Sequence, residues 1–295
     1  MRIVYPTSDW SNIMDKKKKL VLRIMVYSVI AIFLVIACDM RLKVVTYQIE
    51  TTKTNTNIRL VLLTDLHSER YGQNQSKLLE EIEKANPDII LLGGDLFDDK
   101  RKYTNAEILL QNLSSHYVCF YVPGNHEYWS NDIDTMLSIV NSYDIPILNG
   151  SNRIVICNGQ AINICGLDDP DSISYVSDSV PILTQLNNLE DTTSEDIFSV
   201  LLSHRPELAE QYQRFNFDLV LSGHAHGGQW RIPGIINGLY APNQGLFPKY
   251  AGGRYDFEDQ TLIVSRGLSR VTTAVPRIFN RPELIIIEIT PISNQ

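Results

Sequence analysis

From residue 58 to residue 290 the chain alternates short apolar runs with glycine- or polar-rich breaks and segments whose apolar residues recur at helical spacing. Ile58 to Leu63, Asp88 to Leu92, Tyr117 to Val122, Ser199 to Leu202 and Asp218 to Leu221 are short, nearly continuous apolar runs. Such runs read as buried strands. Ser76 precedes Leu78, Leu79 and Ile82, which share one helical face, so a helix capped by Ser76 and ending before Pro87 is expected. Thr104-x-x-Glu107 has the spacing of a capping box ahead of a second helix. Ile133 to Val140 predicts a third, and the segment after Pro206 a fourth. Arg153 to Cys157 and Ala161 to Cys165 flank Asn158-Gly159, a strong local signal for a hairpin. Thr261 to Ser265 and Leu284 to Thr290 predict closing strands. Strand–helix alternation followed by strand-rich pieces predicts an α/β fold of two stacked mixed β-sheets flanked by helices.

The N-terminal part does not fit that rhythm. Residues 1–19 form a basic segment ending in Lys16-Lys-Lys-Lys19, and residues 20–38 are apolar except for Arg23. At 1.5 Å per residue such a helix spans about 28 Å, close to the hydrocarbon thickness of a bilayer. Arg23 lies near one end, where a long side chain can reach the interface. A transmembrane anchor or uncleaved signal is expected. Cleavage is the competitor, because Val35-Ile36-Ala37-Cys38 resembles a lipoprotein processing site that would leave a lipidated Cys38. The lysine block favours a cytoplasmic N-terminus and an extracytoplasmic main domain, a bias that Arg41 and Lys43 weaken. Residues 39–57 read as linker and first strand, with the Thr- and Asn-rich stretch 51–57 marking the boundary, and residues 58–292 as the main domain.

Composition narrows the function classes. A net charge of -8 gives no basic footprint for nucleic acid. The four cysteines, Cys38, Cys119, Cys157 and Cys165, show neither CxxC nor zinc-finger spacing, and the last three lie in strand-like runs, where buried free thiols are expected.

The chemistry is concentrated directly after the strands. The first five runs lead into Asp65-Leu-His67, Gly94-Asp95-Leu-Phe-Asp98, Gly124-Asn125-His126-Glu127, Ser203-His204 and Gly223-His224-Ala-His226. In α/β sheets the carboxyl ends of strands are where sites assemble. Asp, Asn and neutral His are oxygen and nitrogen ligands, and no thiolate joins them, which argues against a structural cysteine–zinc site. Two cations about 3.5–4 Å apart need a carboxylate between them, and Asp95 is the candidate bridge. Asn125 adds a carbonyl oxygen without charge. His126, next to it, is free to act as an acid. Asp98 and Asp99 by themselves read as a solvated charge pair. The glycines allow close approach of the backbone.

Together these five blocks resemble the signature of the calcineurin-like metallophosphoesterases over roughly residues 58 to 290. Gly227-Gly-Gln229 and Arg277-Ile-Phe-Asn-Arg281 resemble the membrane-linked bacterial subgroup of YkuE and YaeI type. The resemblance implies two divalent metal ions, Mn, Fe or Zn. One is expected on Asp65, His67, Asp95 and His226, the other on Asp95, Asn125, His204 and His224. It further implies hydrolysis of phosphodiester or pyrophosphate bonds by metal-activated hydroxide. His126 is expected as catalytic acid, oriented by Glu127, where many relatives carry Asp. Arg277 and Arg281 are the candidate substrate contacts. The expected partners are a phosphate ester, lipid-linked or from the cell envelope, and the membrane. UDP-2,3-diacylglucosamine hydrolysis is an alternative activity, and a metal-stabilised binding protein without catalysis is the alternative class. The long stretch 234–248, with Leu246 and Phe247, reads either as a packed surface loop or as a lip that meets lipid.

Overall fold

A computed structural model of the protein describes residues 8–271 and 276–292, with side chains from residue 14 onward. The first seven residues of the predicted basic segment lie outside the described residues. The chain divides after Asp39 into two compact units.

The first unit contains a single helix, α1 (Ser8–Ala37), so the lysine block is itself helical. Its stretch from Met14 to Ala37 is long and apolar enough to cross a membrane.

In the second unit the elements follow in the order β1 (Lys43–Thr51), β2 (Ile58–Leu63), α2 (Ser76–Ala85), β3 (Ile89–Gly93), α3 (Thr104–Ser114), β4 (Val118–Val122), α4 (Asn125–Trp129) and α5 (Ile133–Ser142). Then come β5 (Ser151–Cys157), β6 (Gln160–Gly166), α6 (Ser172–Tyr175), α7 (Ile182–Glu190), β7 (Phe198–Leu202), α8 (Ala209–Tyr212) and β8 (Leu219–Ser222). Five short strands finish it: β9 (Tyr240–Ala241), β10 (Gly245–Leu246), β11 (Gly253–Asp256), β12 (Thr261–Val264) and the longer β13 (Glu283–Pro291).

Two mixed sheets result, one ordered β1-β13-β2-β3-β4 and the other β11-β12-β8-β7-β6-β5. In β2, Leu60 and Leu62 face the opposite sheet while Val61 and Leu63 face the helices. In β7, Phe198, Val200 and Leu202 meet the first sheet, and Leu201 turns outward. Period-two alternation with apolar residues at both phases is why these strands read as unbroken runs in the sequence. Leu78, Ile82, Leu109, Leu113, Met136 and Val140 cover the outer face of the first sheet, and Leu186, Leu189 and Tyr212 that of the second. The predicted two-sheet sandwich flanked by helices is the observed architecture.

Local expectations held unevenly. The Asn158-Gly159 hairpin joins β5 and β6, with φ of 50° and 80° at the two turn residues, as a type I′ turn requires. The two helix caps do not form. Gln75 is the N-cap of α2 and Tyr103 that of α3, with no side-chain capping bond, and Ser76 and Thr104 lie inside their helices. Residues 43–51 belong to the second unit, because β1 pairs with β13 along its whole length.

Candidate metal centre

Parallel pairing of β2, β3 and β4 sends three of the five loops out side by side, and β7 beside β8 does the same for the other two. Backbone bonds continue past the strand ends. Asp65 N donates to Gly94 O at 3.0 Å, His67 N to Asp95 O at 2.9 Å, and Gly223 N to His204 O at 3.1 Å. Two glycines are needed for this packing. A Cβ on Gly94, at φ 85°, would lie 2.7 Å from His204 Nδ1, and one on Gly223 would lie 2.6 Å from Asp65 Oδ2. Asp65, His67, Asp95, His224 and His226 all have φ between 47° and 64°. Residues with a Cβ enter this left-handed region at a cost of about 1–2 kcal/mol each, and such strain clusters at functional sites.

The side chains converge on one oxygen. Asp95 Oδ1 accepts from the backbone N–H of His126 at 2.9 Å. Its Oδ2 lies 3.1 Å from His204 Nε2 and 3.6 Å from His67 Nε2. Second partners fix both rings: His204 Nδ1 meets the Gly93 carbonyl at 2.8 Å, and His67 Nδ1 faces Asp98 Oδ2 at 3.5 Å. Each ring therefore turns its other nitrogen toward Asp95, the usual arrangement behind metal-ligating histidines. Asp65 accepts from His224 N at 3.0 Å and lies 3.7 Å from His226 Nε2. The donor atoms form two groups, Asp65–His67–Asp95–His226 and Asp95–His204–His224, with Asp95 common to both.

Buried polar atoms almost always have partners. Here His67 Nε2, Asp95 Oδ2, Asn125 Oδ1, His204 Nε2 and His226 Nδ1 are buried without a hydrogen bond. Lone pairs crowded in this way fit divalent cations, and a donor set of Asp, Asn and His suits Mn, Fe or Zn without singling one out. The protonation pattern agrees. Burial opposes charge on His204, but Asp95 beside it pushes its pKa up to about 10, while burial raises Asp95 and His204 more than reverses this, holding it well below the usual carboxylate range. Burial drives His226 and His224 well below theirs.

A family model for the calcineurin-like phosphoesterases matches residues 58–228. The chain belongs to that family. A metallophosphoesterase of Helicobacter pylori is 34% identical over 181 residues, covering 60% of this chain and 46% of its own. A transmembrane protein with a metallophosphoesterase domain from Danio rerio is 28% identical over 225 residues, covering 72% of this chain and 51% of its own. The metallophosphoesterase YkuE of Bacillus subtilis is 26% identical over 234 residues, covering 77% of each. The chain thus spans about half the length of the first two.

In this calcineurin-like phosphoesterase some predicted residues have other uses than expected. Glu127 turns to the backbone. Its buried carboxylate accepts from three backbone N–H groups, Asp95 at 3.0 Å, Gly124 at 2.8 Å and Phe97 at 3.1 Å, and so ties the β3 loop to the β4 loop. Burial, with Asp95 adding to it, raises its pKa to about 7. The His126 ring is held instead by Asp99, with Nδ1 3.0 Å from Oδ1, and packs against Trp129 at 5.0 Å between centroids. The Asp98-Asp99 pair is therefore engaged with two histidines rather than with solvent alone. Arg277 is buried and donates to the Arg266 carbonyl at 2.7 Å. Arg281 donates to the carbonyls of Arg41 and Leu42, both at 2.9 Å, where it fastens the entry to β1.

Sequence reasoning missed the support of His224. Arg205, buried, lies 2.5 Å and 2.7 Å from the two oxygens of Asp169, and its Nη1 is 3.2 Å from His224 Nε2. Asn243 Oδ1 holds the same Nε2 at 3.0 Å. Arg205 directly follows the candidate ligand His204, a signal available in the sequence. Asn243 lies well beyond the last ligand and gives none.

Proposed function

We propose that this chain is a membrane-anchored dinuclear phosphoesterase that hydrolyses phosphodiester or pyrophosphate bonds, with Asp65, His67, Asp95, Asn125, His204, His224 and His226 as its ligands. The observation that supports this best is Asp95 Oδ2, buried without a hydrogen-bond partner and facing histidines of both ligand groups. Two divalent cations held there would supply charge for the phosphoryl oxygens and a nucleophile at neutral pH.

The chain's own residues do the rest. With Nδ1 against Asp99, His126 keeps Nε2 for a phosphoryl or leaving-group oxygen, and its side chain is 23% exposed, open to substrate. An Nε2–H held in this position can donate to a departing alkoxide. Trp129 limits its rotation. Arg205 lies 3.2 Å from His224 Nε2 but is already engaged with Asp169. A reacting phosphorus with one negative charge, as in a diester, suits such a site better than a dianionic monoester.

The helix ending at Ala37 supports a single-pass anchor, and the lysine block supports an extracytoplasmic domain acting on a lipid-linked or cell-envelope substrate. A reporter fused after residue 295 tests the side. Bis-p-nitrophenyl phosphate tests the chemistry: turnover with Mn²⁺ that EDTA abolishes supports the reading, and no turnover with full metal occupancy refutes it.

A further inference from the structure

The segment that follows the last two histidine ligands presents six large apolar side chains to solvent: Trp230, Ile232, Ile235, Tyr240, Leu246 and Phe247. Ile235 is 80% exposed, Leu246 67% and Phe247 64%. This is an ordered surface. Ile232 and Ile236 exchange backbone hydrogen bonds at 3.0 and 2.8 Å, Leu239 N donates to Gly228 O at 2.9 Å, and Phe247 N to Leu239 O at 2.8 Å. Phe247 stands at φ 54°, a conformation that costs a bulky residue free energy. A rigid frame thus holds apolar side chains outward, where water gains them nothing. Exposed clusters of this kind mark interaction surfaces.

The backbone around the segment indicates what covers it. Arg231 N donates to Ile278 O at 3.0 Å and Ile278 N to Gln229 O at 3.1 Å, so the segment is laced to the stretch 276–282. Three residues on, Arg281 grips the carbonyls of Arg41 and Leu42, and Lys43 N donates to Pro282 O at 2.9 Å. The apolar surface therefore lies on the same side of the domain as the point where the chain leaves for α1. Leu42 is five residues past Ala37, a covalent reach of at most about 18 Å. In the other direction Asn280 donates to His226 O at 2.7 Å, so the same stretch also borders the ligand cluster.

We propose that residues 230–247 dock the domain on the lipid bilayer that holds α1, and that the site takes its phosphoester from that bilayer, from an amphiphile whose phosphate lies in the headgroup layer. The inference rests on the membrane-anchored phosphoesterase reading above. Trp and Tyr suit the headgroup region and Ile, Leu and Phe the acyl boundary. A tether this short keeps the surface next to lipid, which favours the bilayer over a second copy of the chain.

The test uses the full chain in vesicles of phosphatidylglycerol and phosphatidylcholine. With Trp10→Phe and Trp129→Phe, Trp230 is the only tryptophan, and docking predicts quenching of its emission by lipids brominated on the upper acyl chain. Emission untouched by brominated lipid overturns the proposal, and if sedimentation then shows paired copies, the surface belongs to a second chain. Turnover is read on phosphatidyl-p-nitrophenol in the bilayer and on soluble bis-p-nitrophenyl phosphate. Ile235→Asp with Leu246→Asp should lower the lipid rate at least about tenfold and leave the soluble rate unchanged, which also shows that the variant is folded. Equal losses on both substrates, or none, overturn the assignment of a lipid substrate. If the parent chain cleaves neither, the phosphoesterase reading fails, while the quenching result still decides the docking.

Discussion

Replacing Glu127 separates a structural carboxylate from a reacting one. Its two oxygens accept from Asp95, Gly124 and Phe97 N–H groups at 2.8 to 3.1 Å, at a fully buried position. Glu127→Ala leaves three donors without partners. At about 1–2 kcal/mol for each buried donor orphaned, the loss sums to about 3–6 kcal/mol, a large part of the roughly 5–15 kcal/mol that holds a domain folded. With about 2–4 °C per kcal/mol for a domain of this size, Tm falls on the order of 10 °C. Glu127→Gln keeps the volume and one acceptor but turns an amide N–H₂ against at least one donor, for a loss of about 1–3 kcal/mol. Because Asp95 and Asn125 sit on the two loops that Glu127 joins, both variants should bind less manganese per chain. The assays are thermal unfolding followed by circular dichroism, and metal content by mass spectrometry, on chains loaded in parallel. Unchanged Tm and metal content with a large fall in kcat would refute this reasoning and make Glu127 a participant at the reaction centre.

Four more outcomes follow from the same geometry. His126→Ala should keep its metal content and lose about 10²- to 10⁴-fold in kcat, the range of general acid catalysis. Asp99→Asn should lower kcat by a smaller factor, since the ring loses the partner that holds its Nδ1; an unchanged kcat would remove Asp99 from the mechanism. Asp95→Asn should lose both metal content and rate. Arg281→Gln should lower Tm by a few degrees, at about 1 kcal/mol per lost hydrogen bond, and leave KM unchanged; a raised KM would restore it as a substrate contact.

The candidate ligand cluster was legible because each block is local. A two- to five-residue motif sits directly behind a continuous apolar run, and parallel pairing of those runs then brings the loops together. What supports the ligands was not legible, because it depends on which loop folds against which. Asp98 and Asp99 are adjacent acids, and only the placement of His67 and His126 opposite them assigns one to each. Glu127 reads as a partner of its neighbour His126, yet it lies at the start of a helix, and its carboxylate folds back onto the backbone of two loops. Arg277 reads as a phosphate clamp by type alone, and its burial and its bond to the Arg266 carbonyl follow only from the folding of the loops. Ser76 and Thr104 carry capping chemistry, but each helix begins one residue earlier than capping by them requires. The pairing of β1 with β13 joins segments some 240 residues apart, and the half-exposed alternation of β1 gives a strand without naming its partner.

The central claim is that Asp95 bridges two cations. An anomalous difference map from crystals grown with saturating Mn²⁺ tests it most directly. The account predicts two peaks about 3.5–4 Å apart, one on each side of Asp95 Oδ2, with His67 and His226 at the first and His204 and His224 at the second. A single peak, or a pair that does not share Asp95, would contradict it.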